Sequence, residues 1–141
     1  MSTDKTTVAQ VSETGQGVFA ADIEVNGFHI LGDEPVDNGG AGLGPSPYDL
    51  LTAALAECTT MTVRWYARQQ GWPLQHVATT VSHAKSAAPG QSRMTDHFVK
   101  RIELKGDGLT EVQRAKLIEI AAKCPVQRTL EGTPHIVTEG V

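Results

Sequence analysis

A chain of 141 residues, 40% hydrophobic and 20% charged, can bury about two thirds of the surface its unfolded form exposes, so neither a metal nor a disulfide is required to hold it folded. The net charge of −4, with no Lys/Arg stripe interleaved with aromatics, argues against nucleic acid as a partner, and no segment has the apolar run that crosses a bilayer. The start MSTDKTTVAQ lacks the basic and apolar parts of a secretory signal, which gives a cytoplasmic expectation. Thiols there begin reduced, so Cys58 and Cys124 read as inert or redox-active rather than as a permanent cross-link.

Residues 6–12, 18–25 and 28–31 carry short β-prone runs separated by Gly15, Gly17, Asn26 and Gly27. Asn26-Gly27 is a hairpin signal because both positions tolerate positive φ. The first third therefore reads as an antiparallel meander. A glycine-rich stretch over 37–45 follows. It lacks the Lys-Ser/Thr ending of a phosphate-binding loop and reads as a flexible entry to a helix.

Ser46 as cap, Pro47 in the first turn and Asp49 completing a capping-box pattern predict that helix over 47–70, ending at Gly71 with Pro73 beyond. Its face around Cys58 holds Leu51, Ala54, Leu55, Met61, Thr62 and Trp65, through offsets of three, four and seven. The helix is apolar enough to be enclosed on several sides, by sheet or by a partner subunit.

Two longer strands, 74–87 and 97–104, are expected to form a second hairpin around Pro89-Gly90-Gln91-Ser92. Thr110, with Gln113 as its capping-box partner, starts another helix expected to reach Cys124. On that helix Cys124 shares a face with Leu117, Ile120 and Ala121. Pro125 breaks the ladder and suits the first turn of a short helix over 126–130. A last strand is expected over 135–138. With no repeat or linker, residues 1–141 read as a single α+β domain.

For chemistry, the cysteines stand out. A thiol in such a helix is ordinarily a small buried hydrophobe, but Cys124 lies where Pro125 opens a new helix, and a thiol there ionises more easily. His29, His76, His83, His97 and His135 show no pair at three- or four-residue spacing and neither cysteine belongs to a C-x-x-C motif, so no metal or cofactor is expected.

The run Gly44-Pro45-Ser46-Pro47-Tyr48-Asp49-Leu50-Leu51-Thr52-Ala53-Ala54-Leu55-Ala56-Glu57-Cys58, with Cys124-Pro125-Val126-Gln127-Arg128-Thr129-Leu130, resembles the OsmC/Ohr family of thiol peroxidases. That resemblance implies an OsmC-like fold, antiparallel sheets around a long central apolar helix with a second cysteine-bearing helix, and an intertwined homodimer. It also implies a reaction. Cys58 attacks a hydroperoxide and becomes a sulfenic acid, Cys124 condenses with it to a disulfide, and an external thiol or dithiol restores both.

The family pattern places an arginine from the N-terminal strands beside the reactive cysteine, with a glutamate near the helix start to hold it. This chain has no Lys or Arg between Lys5 and Arg64, and Tyr48 stands where the glutamate is expected. The chain offers four substitutes. Arg128, one turn beyond Cys124, is either a thiolate partner or a solvated charge. Glu57 adjoins Cys58 but points in another direction. Tyr48 either donates to a bound oxygen or packs over the loop–helix junction. His29 is either a charge source or an ordinary strand histidine. The missing pair keeps a second reading open: a non-enzymatic member of the fold that binds a small ligand or senses redox state.

Overall fold

The computed structural model describes residues 6–141; the first five residues of the polar start lie outside them. The chain forms two compact units, the first through Leu51 and the second from Thr52.

The first unit is the meander. Strands β1 (Ala9–Glu13), β2 (Ala21–Val25) and β3 (Phe28–Gly32) pair antiparallel in that order, with Val11 opposite Ile23 and Ile23 opposite Ile30. Asn26 and Gly27 take φ of 51° and 80°, the two positive values that a tight primed turn needs. β2 begins later than the apolar run from Val18 because Gly15 and Gly17, both at positive φ, form a wide connection. The Thr14 N–H closes that connection on the Ala20 carbonyl at 3.0 Å.

The glycine-rich stretch is pinned, in contrast to the flexible entry expected. The buried Asp33 carboxylate accepts the N–H groups of Glu34 at 2.8 Å and of Ala41 and Leu43 at 3.2 Å each. Gly44 runs so close to the β3 backbone that a Cβ there would overlap the Leu31 carbonyl oxygen. Only glycine permits that approach.

Helix α1 (Pro47–Gln70) opens on the predicted reciprocal cap: the Ser46 N–H donates to Asp49 Oδ2 at 2.9 Å and the Asp49 N–H to Ser46 Oγ at 3.2 Å. It ends at Gly71, φ 68°, where the Trp72 N–H turns back to the Ala67 carbonyl. The face read around Cys58 divides. Leu55 and Thr62 are buried, whereas Met61 and Trp65 are exposed.

In the second unit β4 (His76–Ala87) pairs antiparallel with β5 (Met94–Lys105). Val77, Thr79, Val81 and His83 lie opposite Leu104, Ile102, Lys100 and Phe98. This is the less exposed phase of both strands. Helix α2 (Glu111–Ala121) carries the expected capping box between Thr110 and Gln113. Val63 and Ala67 of α1, Leu117 and Ala121 of α2, and Leu74, Val77 and Leu109 form the core. Arg64 donates to the Leu74 carbonyl at 2.6 Å and Arg114 to those of Leu104 and Gly106, satisfying acceptors that the strands leave open.

Two expectations change at the C-terminal end. α2 stops at Ala121, tightened by N–H bonds from Ala122 to Glu119 and from Lys123 to Ile120, and Cys124 lies beyond it in extended conformation, φ −65° and ψ 147°. A residue preceding proline is pushed out of the helical region, so Cys124 caps α3 (Pro125–Glu131) instead of closing α2. Residues 133–141 contain no strand; Pro134, with no N–H to donate, is a poor start for one.

Leu117 is fully enclosed, so Leu117→Ala should lower unfolding free energy by about 2–5 kcal/mol, measurable by denaturant titration. Burial pushes the Asp33 carboxyl up, but the N–H donors of Leu43, Glu34 and Ala41 outweigh it and hold it below the usual carboxylate range. That stabilisation is present above the ordinary carboxylate range and is lost as pH falls through the lowered value. Acid unfolding of Asp33→Asn should accordingly show a shallower pH dependence than that of the parent protein.

Candidate active site

Cys58 projects from the middle of α1 and Cys124 opens α3, and the structure brings both sulfurs to the first turn of α3. Pro125 occupies the first helical position and has no N–H. The next two backbone donors are divided between the thiols: Val126 N–H reaches Cys58 Sγ at 3.5 Å and Gln127 N–H reaches Cys124 Sγ at 3.4 Å. Cys124 thereby fills the role that a serine usually takes at a helix start. Both cysteines are free thiols, Cys58 partly exposed and Cys124 fully buried.

The two environments differ. Burial pushes the Cys58 thiol up, and the neighbouring Cys124 adds to the rise, against the downward pull of the Val126 N–H and the Thr62 hydroxyl. The Thr62 oxygen is itself buried. At Cys124 the Thr59 hydroxyl lies 3.5 Å from Sγ and 2.8 Å from the Leu55 carbonyl oxygen.

A residue that sequence reasoning missed completes the site. Lys100 Nζ donates to Thr59 Oγ1 at 2.9 Å and to the Ala121 carbonyl, the last of α2, at 2.6 Å. Burial lowers the ammonium's pKa, while Cys124, Cys58 and Glu131 act in the opposite sense. The signal was in the strand pattern. Lys100 shares the inward phase of β5 with Phe98, Ile102 and Leu104, and a charge on the apolar phase of a strand needs buried partners.

Of the four proposed substitutes, two belong to the second unit and two to the first. Arg128 is exposed on α3, and no hydrogen bond or ion pair joins it to either sulfur among the described residues. Glu57 is exposed on the outer side of α1. Tyr48 lies half-exposed in the first turn of α1, within the first unit. His29, also in the first unit, sits 3.2 Å from Asp22 Oδ1 with both side chains exposed. No group of three or more His, Cys, Asp or Glu side chains among the described residues is arranged to hold a metal.

The family model of OsmC-like proteins matches residues 39–139, a stretch that contains α1, the second hairpin and both cysteines. The chain belongs to the OsmC-like family. No curated protein sequence is significantly similar to it. Solved OsmC-like structures share its fold. An organic hydroperoxide resistance protein OsmC from Legionella pneumophila is 22% identical, with 93% of each chain covered and a TM-score of 0.70. An OsmC-like protein from Mycoplasma pneumoniae is 20% identical, with 92% of this chain and 89% of that one covered and a TM-score of 0.75. An organic hydroperoxide resistance protein from Elizabethkingia anophelis is 18% identical, with 94% and 92% covered and a TM-score of 0.71. These likenesses show an α+β fold with antiparallel sheets, and among the described residues no helix is long and apolar enough to cross a membrane.

The contrast between a partly exposed and an enclosed thiol gives a direct expectation. Iodoacetamide should modify Cys58 and spare Cys124 in the folded protein. The rate should keep climbing with pH beyond the range of an ordinary thiol, because burial pushes the Cys58 thiol up. Peptide mapping after short exposures checks both points, and equal labelling of the two cysteines would contradict the arrangement.

Proposed function

We propose that the protein is a thiol-dependent peroxidase that reduces organic or inorganic hydroperoxides. The observation that carries this reading is the delivery of both thiols to adjacent N–H donors of one helical turn. The Cys58 thiolate attacks the O–O bond, an alcohol or water departs, and a sulfenic acid remains. Cys124 condenses with it, releasing water and forming a disulfide, which an external thiol or dithiol reduces by exchange. Partial exposure of Cys58 suits it to meet the peroxide, and full burial of Cys124 suits it to meet only Cys58. The hydroperoxide resistance proteins that share the fold support the substrate class.

In this reading residues 1–141 act as one cytoplasmic domain, supported by a family match that runs from the first unit into the second. The working form is a homodimer, supported by the exposed Met61 and Trp65 on α1, large apolar side chains of the kind that interfaces cover. A second reading is favoured by a hollow of about 410 Å³ in the first unit lined by Val11, Phe19, Ile23, Pro45, Pro47 and Leu50. Its apolar walls suit a small ligand, as a non-enzymatic binding or redox-sensing member of the family requires.

One equivalent of alkyl hydroperoxide added to reduced protein should join Cys58 to Cys124, seen by intact mass and peptide mapping. Cys58→Ser should abolish turnover, and Cys124→Ser should trap a sulfenic or overoxidised Cys58. Two unchanged thiols after exposure, with an apolar molecule co-purifying, would favour the binding reading instead.

A further inference from the structure

We infer that Lys100, acting through the Thr59 hydroxyl, is a positioning residue for Cys124 and makes it the attacking sulfur in disulfide formation; this rests on the peroxidase reading above. The chain holds no Lys or Arg between Lys5 and Arg64, and β5 brings a lysine to the site. Each element around the ammonium has a defined part. α1 presents the Thr59 oxygen and carries Cys58, α2 presents the Ala121 carbonyl, α3 carries Cys124 and Glu131, and β4 presents Val81 opposite in the ladder.

Thr59 transmits the charge because its hydroxyl has one hydrogen and two acceptors in reach. Lys100 donates to the oxygen, leaving that hydrogen free to choose between the Leu55 carbonyl at 2.8 Å and Cys124 Sγ at 3.5 Å. While Cys124 is a thiol the carbonyl is the stronger acceptor. Once Cys124 ionises, the hydrogen turns to the sulfur, forming a charge-assisted bond backed by the ammonium.

The step balances without a further oxidant. The Cys124 thiolate donates its electron pair to the Cys58 sulfenic sulfur, the S–O bond breaks, and hydroxide leaves with the bonding pair. The proton given up by Cys124 ends on that hydroxide as water. Cys58 sulfur is reduced from the sulfenic to the disulfide level while Cys124 is oxidised to the same level, the peroxide having supplied the oxidising equivalents.

The test separates the two chemical steps. With hydroperoxide, Lys100→Met should slow disulfide closure about tenfold, the equivalent of one pH unit in thiolate population. Sulfenic acid formation at Cys58 should change less, so that a dimedone-trapped species accumulates. Lys100→Arg should restore closure. Thr59→Val, which keeps the Lys100 bond to α2, should slow it as Lys100→Met does and carries the test if Lys100→Met fails to fold. The same series with diamide, which forms an adduct on one thiol for the other to displace, reads closure without any peroxide chemistry. Slower closure with diamide alongside unreactive peroxide would overturn the peroxidase reading and support the role of Lys100. Unaltered closure in folded Lys100→Met and Thr59→Val, or no rescue by arginine, would overturn the role of Lys100.

Discussion

A lysine on the inward phase of a strand is the constraint around which the second unit is arranged. An ammonium partly withdrawn from water needs oxygen acceptors around it, and here two helices supply them. The last carbonyl of α2 and a threonine hydroxyl of α1 both point at Lys100 Nζ. The early end of α2 therefore has a consequence beyond its boundary. The helical donor to the Ala121 carbonyl would be residue 125, a proline without an N–H, so the helix end leaves that carbonyl an open acceptor at the negative end of the dipole. The chain then has room to turn into the extended Cys124 and start again at Pro125.

Much of this architecture is legible from local chemistry. The Asn26-Gly27 turn, the Ser46–Asp49 box, the glycine end of α1, the Thr110–Gln113 box and the proline start of α3 depend on residues a few positions apart, and each formed as the sequence predicts. The two thiols stand out in the sequence as well, through family motifs more than through physics. What was not legible depends on distant partners. Lys100 and Thr59 are separated along the chain by the whole of β4, and nothing near either announces the other. The family pattern points to the early strands for a cation, whereas alternation along β5 marks Lys100 as a charge on the inward phase.

The glycine-rich stretch shows a different limit. Composition registers that glycines are permissive, but composition cannot say whether the permission is used for motion or for close approach. Here it is used for approach: Gly44 passes against the Leu31 carbonyl, and Asp33 gathers three N–H groups from the loop. One buried carboxylate thus takes the N–H groups of Ala41 and Leu43, between and beyond the backbone bonds from Gly40 to Pro35 and from Gly42 to Glu34.

The sulfurs themselves are held by main-chain donors from Val126 and Gln127, and this has a consequence for how the site tolerates change. An N–H group is supplied by every residue type but proline, so the contacts to Cys58 and Cys124 are indifferent to which side chains follow Pro125. The cysteines and the proline are fixed by what they are, and the next two positions only by what they must not be. Sequence drift at those two places can retune the surroundings of the thiols while the scaffold that grips them persists.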